Sequence, residues 1–575
     1  MAEFDLVIRG GTVIDGSGSD GFTADVAVAH GKVAEVGKVS GSGTREVEAA
    51  GAVVAPGFVD IHTHFDGQAT WDNYLQPTSW HGVTTAIMGN CGVGFAPAIP
   101  DDHQRLIKLM EGVEDIPGVA LTEGLSWDWQ TFPEFLDALE RIPHDVDFAT
   151  QVPHAALRVR AMGTRASALE IATAEEVSMM AKLAAEAIEA GALGFSTSRT
   201  LNHKSSDGEL TPSYRAGVDE LVAIAKAIGE TGTGVLQLVS DLPIKDQSEF
   251  DLVTRMLEAS GRPMSLSLAQ GGPNPDRYKG ILQFITDMNE AGHTLRGQAG
   301  ARAIGIILGL ECTLHPFMMN PVFKAELAHL PIAEQAKRMS DPAMKSRILA
   351  AQTNEKDKNI IGGELIDFYS HMVYLADPPD YEPDLSTQSL LNRSAAENRT
   401  PEDIAYDIMV EDEGKGKLYA PLLNYGHGNL DAVRDMLVHP HTVPGLSDGG
   451  AHVGTICDGS FPTTLLQYWA RDREHGKIPL PFVINRQARA TAEAVGLLDR
   501  GLLKPGYKAD INIIDMNELH LYRPTVSFDL PAGGRRLLQR VDGYKHTFLN
   551  GIEIYHDGEA TGELPGKLVR GEQSV

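Results

Sequence analysis

A chain of 575 residues, 42% hydrophobic and 22% charged, is long enough for one barrel-sized core plus a satellite domain. Its 49 basic and 78 acidic residues leave a formal charge of −29, which repels phosphate backbones and anionic membranes and argues against nucleic acid as a partner. No apolar run approaches the roughly 20 residues of a spanning helix, residues 1–5 lack the basic-then-apolar layout of a signal peptide, and Cys91, Cys312 and Cys457 are too scattered for a disulfide framework. A cytoplasmic location, with no membrane partner, is expected.

Residues 4–9 read as a strand, Gly10-Gly11 as a turn, and residues 25–28 and 32–36 as a hairpin around His30-Gly31. The apolar run from Val53 to Ile61 reads as a buried strand that ends in His62-Thr63-His64. Residues two apart on a strand point to one side, so His62 and His64 present two imidazoles together where the strand runs out. Neutral imidazole suits zinc and similar ions, although a bare His-x-His is equally compatible with a polar loop. Residues 84–89 form a second strand that delivers Asn90-Cys91-Gly92. A thiol in that glycine-flanked turn reads either as a structural cysteine or as a thiolate ligand.

From there helix and strand alternate. Thr173-Ala174-Glu175-Glu176 is a capping box that opens a helix ended by Gly191; Thr211-Pro212 predicts the start of the next, and Ser260-Gly261 the stop of a third. Strand candidates end near His62, Asn90, Pro153, Thr197, Val239, Ala269, Gln298 and Asp448. Eight parallel strands with crossover helices make a closed (β/α)8 TIM-type barrel, whose chemistry sits at the strands' C-terminal ends. The stretch 299–442 is far longer than a crossover needs and is expected to form a lid or pocket wall.

The eighth strand ends Gly445-Leu446-Ser447-Asp448-Gly449-Gly450. A carboxylate there can cap a turn, or ligate a metal and take a proton from bound water. His452, four residues on, reads as facing solvent or as orienting substrate. Residues 510–514 are a strand, and residues 547–549 meet 552–554 across Asn550-Gly551, the strongest short hairpin signal. Two β-rich ends around an alternating middle predict one small β domain from both termini. The expected organisation is therefore β-sandwich 1–56, barrel strands one to seven 57–298, insertion 299–442, end of the barrel 443–496 and β-sandwich 497–575.

Two histidines, a thiol and a carboxylate converging on one rim form a site for a metal that lowers the pKa of bound water from about 15.7 towards about 7. Asp448 then serves as general base, and the reaction class is hydrolysis at a carbonyl.

These motifs resemble the amidohydrolase superfamily, and more closely its branch of N-acyl-D-amino-acid deacylases, the D-aminoacylases. The resemblance spans almost the whole chain. It runs through residues 5–16, Pro56 to His64, Gly89-Asn90-Cys91-Gly92, Glu114-Asp115-Ile116-Pro117, Gly194 to Arg199 and Gly501 to Asp510. It implies a barrel flanked by a β-sandwich, zinc as the usual metal, ligands at His62, His64, Cys91 and Asp448, and N-acylated D-amino acids as substrates. One departure stands out: the family places further metal-binding histidines at the ends of strands five and six, and here neither strand (residues 235–241 and 267–270) contains histidine. Gln237 and Gln270 are poor zinc ligands that read as substrate-facing or packing groups. One zinc per chain is the expectation that follows.

Arg199 is expected to grip a substrate carboxylate with its guanidinium fork, or else to sit in an ordinary ion pair. His203, Gln237, Gln270, His315 and His452 complete the substrate-facing candidates. The expected partner is a small-molecule substrate, with a homo-oligomer left open. Two rival readings stand beside the amide hydrolase. One is a hydrolase of the same fold acting on a lactone, carbamate or cyclic amidine. The other is a silent homologue kept for binding or assembly.

Overall fold

The computed structural model describes residues 2–242, 247–271, 274–358 and 360–575. Eight parallel strands form one sheet in sequential order: β1 Phe58–Asp60, β2 Val83–Met88, β3 Asp147–Pro153, β4 Gly194–Arg199, β5 Val235–Ser240, β6 Met264–Leu268, β7 Leu295–Ala299 and β8 Thr442–Pro444. Every residue of β2 and β3 is buried, as expected for strands covered on both faces. The fold is the (β/α)8 barrel with a β-rich terminal domain that the sequence predicts.

The barrel's seam lies between its two shortest strands. No strand pairing joins β8 to β1; instead Asp448 N–H donates to the His62 carbonyl (3.1 Å) and His64 N–H to the Gly449 carbonyl (2.8 Å). The chain after β8 leaves strand geometry at once, with Leu446 (φ 57°) and Asp448 (φ 48°) both left-handed. That turn places Asp448 against the histidines rather than in line with β8.

The helix Ala174–Ala190 begins at the predicted capping box, with Thr173 Oγ1 accepting from Glu176 N–H, and buries Met180, Ala184, Ala187 and Ile188. The next helix departs from expectation. It spans Val218–Glu230, not a start at Thr211-Pro212, because 211–216 is held as turns against the end of β4. There Thr211 N–H donates to the His203 carbonyl and Ser213 Oγ to the Ser198 carbonyl.

Both termini contribute to a nine-stranded sheet, and they meet where Val53–Pro56 pairs antiparallel with Ile511–Ile514. Tight hairpins in it turn on His30-Gly31 (φ 55° and 73°), Asn550-Gly551 (φ 53° and 75°) and Asp557-Gly558 (φ 45° and 78°), positive-φ pairs that match the twist of flanking strands.

Between β7 and β8, the chain forms a three-stranded sheet of Ile304–Leu308, Leu418–Leu423 and Val373–Tyr374 with helices around it. This insertion is bonded to the barrel rim. Asn424 N–H donates to the Gln270 carbonyl, and Thr313 N–H to the Gly454 carbonyl. Among the described residues no helix is long and apolar enough to cross a membrane.

At the opposite end of the barrel, Asp147 opens β3 and bonds Arg500 (2.9 Å) and Lys508, which lie in the chain leading to Ile511–Ile514. Burial pushes its carboxyl up, but Lys508 and Arg500 pull it further down, below the ordinary carboxylate range. A depressed carboxylate contributes stability above its unfolded value of about 3.9, and that stability is lost as pH falls through the folded value. Asp147→Asn is therefore expected to lower the melting temperature at pH 7. Melting curves from pH 7 to pH 3 should show the gap to wild type closing on acidification; a pH-independent gap would contradict the assignment.

Candidate metal centre

His62 and His64 follow β1 on an extended path and are buried, with ring centroids 5.5 Å apart. Gln298, at the end of β7, sets the tautomer of the first. Its Oε1 lies 2.6 Å from His62 Nδ1 while its amide nitrogen donates to Ser265, so Nδ1 carries the proton and Nε2 keeps its lone pair. That Nε2 faces Cys91 Sγ at 3.2 Å and Asp448 Oδ1 at 3.4 Å. His64 Nε2 faces the same Asp448 oxygen at 3.6 Å. Ligand atoms of His62, His64 and Cys91 lie within 4.8 Å of one another.

The turn that delivers Cys91 is locally unusual. Gly89 (φ 78°), Cys91 (φ 56°) and Gly92 (φ 69°) are left-handed, and a Cβ at Gly89 would fall 2.2 Å from the Gln151 carbonyl oxygen. Only glycine fits there. Neighbouring strands hold the turn: Ser196 Oγ on β4 accepts from Gly92 N–H, and Gln237 Oε1 on β5 accepts from Cys91 N–H.

Glu114 is the residue sequence reasoning missed. It ends the helix His103–Glu114, is 1% exposed, and sets Oε1 3.3 Å from His64 Nδ1 and Oε2 3.6 Å from His452 Nε2. The Glu114-Asp115-Ile116-Pro117 motif was the available signal, together with a buried acid at a helix end. Asp115 (φ 52°) turns the chain there, and its carboxylate accepts from Gly454 N–H (3.1 Å).

The electrostatics are those of a cation site. Burial drops His62 to about 4 and pushes the Cys91 thiol up to about 12, so one is a neutral imidazole and the other a protonated thiol. Burial also raises Glu114 to about 7 and Asp66 to about 6. Burial would raise Asp448 too, but His64 and His62 hold it well below the carboxylate range. His64, although buried, is lifted well above its ordinary value by Glu114, Asp448 and Cys91. No lysine or arginine among the described residues pairs with Asp448, Glu114 or Asp66. Buried polar atoms without hydrogen-bond partners gather here: both nitrogens of His64, Asp448 Oδ1, Glu114 Oε1 and Asp66 Oδ2. Such atoms are costly unless a group absent from the protein satisfies them, and the donor set of imidazole, thiol and carboxylate fits zinc.

The remaining candidates divide. His452 turns inward rather than to solvent, with Nε2 3.9 Å from Asp448 Oδ2 as well as facing Glu114. His203 Nδ1 pairs with Ser198 Oγ at 2.8 Å, and burial, then the fields of His452 and His64, drop it to about 3. Gln270 is bonded to the insertion, its Oε1 accepting from Gly426 N–H at 2.8 Å. Two candidates are not brought to the cluster. Arg199 directs Nε and Nη2 to the Glu249 carboxylate and Nη1 to the Ala216 carbonyl, so its fork is already filled. His315 is buried within the insertion, its ring 4.6 Å from Phe323 and its Nδ1 accepting from Phe317 N–H.

A (β/α)8 barrel whose C-terminal rim gathers two histidines, a thiol and a carboxylate around unsatisfied buried atoms defines a metal-dependent hydrolase. The model of the amidohydrolase family matches residues 45–551. D-aminoacylase of Alcaligenes xylosoxydans xylosoxydans is 27% identical over 98% of this chain and 97% of its own, and N-acyl-D-aspartate deacylase of the same organism is 25% identical over 99% and 95%. A solved D-aminoacylase, described with a binuclear metal centre, one-metal activation and second-metal attenuation, superposes with a TM-score of 0.66 at 25% identity, covering 99% of this chain and 100% of that one. The chain belongs to the amidohydrolase family and to its D-aminoacylase-like branch.

Proposed function

We propose that this enzyme hydrolyses the amide bond of an N-acyl amino acid, of the D series, with one zinc held by His62, His64, Cys91 and Asp448. The observation that carries the reading is the convergence of His62 Nε2, His64 Nε2, Cys91 Sγ and Asp448 Oδ1 where buried polar atoms lack partners. The single ion follows from strands five and six. Neither strand carries the histidine that the resemblance expects; Gln237 Oε1 instead accepts from Cys91 N–H and Gln270 Oε1 from Gly426 N–H. The D-series substrate is supported by likeness to D-aminoacylase and N-acyl-D-aspartate deacylase.

Zinc in this position supplies a Lewis acid that polarises the scissile carbonyl and lowers the pKa of water. The chain supplies the rest. Gln298 keeps the His62 proton on Nδ1, and Glu114 faces Nδ1 of His64, so each imidazole offers Nε2 to the centre. Asp448, ionised across the neutral range, takes the proton of the attacking water on a carboxylate oxygen and passes it to the leaving amine. His452 faces Oδ2 of that carboxylate and limits where it can swing.

The test is a panel of N-acyl-D- and N-acyl-L-amino acids, hydantoins and lactones, assayed before and after a chelator. Turnover of the D-series amides, abolished by chelation and restored by zinc, is expected. Turnover confined to cyclic substrates, or untouched by chelation, would overturn the reading.

A further inference from the structure

Outside the barrel, the hairpin Tyr544–Leu549/Ile552–His556 carries a second group of ligand-type side chains. His546 lies opposite His556, and Phe548 opposite Glu553, but the register slips between them because Ile554 is one residue too many on its strand. Without that bulge, Glu553 and His556, three apart on a strand, would face opposite sides of the sheet. With it, Ile554 and Tyr555 both turn to one side and are 1% and 2% exposed, and Glu553 and His556 share the opposite face with His546.

The three side chains meet there. Glu553 Oε1 lies 2.5 Å from His546 Nδ1 and 3.0 Å from His556 Nδ1. The other ring nitrogen of His556 is 3.5 Å from Asp557 Oδ2, the carboxylate-behind-histidine arrangement that orients metal ligands. Arg45 bonds the second oxygen of Glu553 and fixes the carboxylate, while its charge opposes a cation beside it. Solvent reaches the group at His556, which is half exposed, while the side chains of His546 and Glu553 are mostly covered.

We propose that His546, Glu553 and His556 form a second zinc site, on the terminal sheet and separate from the barrel centre. Tetrahedral zinc with bonds of about 2.0–2.2 Å separates its ligand atoms by about 3.3 Å. The His556–Glu553 pair is close to that spacing, and the His546–Glu553 pair reaches it by opening less than about 1 Å. Water fills the fourth position. Bound zinc would join the two strands of the hairpin through their side chains and raise the melting temperature.

The experiment titrates zinc into the full-length enzyme, already loaded with its barrel metal and cleared of excess, by calorimetry. Cobalt absorption serves as a second readout of tetrahedral coordination. Wild type is expected to take up one further equivalent. The His546→Ala/His556→Ala variant should bind it at least roughly tenfold more weakly, with turnover unchanged. Arg45→Gln should bind it more tightly, a change in the direction that misfolding cannot produce. No further equivalent in wild type, or one that persists in the double variant, would overturn the proposal.

Discussion

Asp448→Asn is expected to lower kcat/KM for the amide substrate by roughly 10²–10⁴-fold, the range that removal of a positioned general base produces. The substitution keeps the size of the side chain but removes its charge, and with it the base and the anionic ligand together. Asn is among the few residues at ease in the left-handed region where position 448 sits (φ 48°), so the turn that seams β8 to β1 is kept. The backbone bond from residue 448 N–H to the His62 carbonyl is kept as well. What is lost is the anion facing both imidazoles and with it the proton acceptor. Steady-state kinetics beside a melting curve separates the outcomes. A large loss of turnover on an unchanged fold, with zinc content at the wild-type level, supports the assignment, whereas near-wild-type turnover would place the base elsewhere.

The largest expected loss of stability is in Glu220→Gln. Glu220 is 2% exposed and Arg158 is fully buried, and the carboxylate takes both the guanidinium and His154 Nε2 (2.8 Å). His154 in turn touches Thr197 Oγ1 on β4, so the group links the end of β3 to β4. Removing one partner leaves a buried charge unmatched, at a cost of about 3–5 kcal/mol. Calorimetric melting should show it. A double change, Arg158→Met with Glu220→Leu, is expected to recover much of the loss because both charges leave together. If the single variant melted with wild type, the triad would be doing no structural work.

How much of this was legible in the sequence depends on the range of the interaction. The proximity of His62 and His64 was readable because it rests on the period-two alternation of one strand. The bend at Cys91 was readable because its glycines announce it. The barrel itself follows from local alternation of helix and strand, and the capping box at Thr173 predicts its helix start correctly. Thr211-Pro212 has the same local grammar and misleads, since Ser213 and Thr211 bond to the end of β4 instead. Tertiary contacts outweigh propensity there.

Long-range partners were not legible. Nothing near Arg199 announces that Glu249, on the helix Ser248–Ser260, fills its fork. Nothing near His315 shows that its ring packs within the insertion. Glu114 arrives from a helix end fifty residues beyond His64, and Gln298 from the far side of the sheet. Both act through distances that only the closed barrel creates.

The most direct test of the account is the zinc content of protein purified without chelator, measured in the His546→Ala/His556→Ala background so that the terminal sheet does not contribute. Cys91→Ala and Asp448→Ala are compared in the same background. About one zinc per chain, reduced in both variants, is the predicted result. About two would mean that another group of side chains rebuilds a second position at the barrel rim, and no zinc, even after its addition, would contradict a metal-dependent mechanism at His62, His64, Cys91 and Asp448.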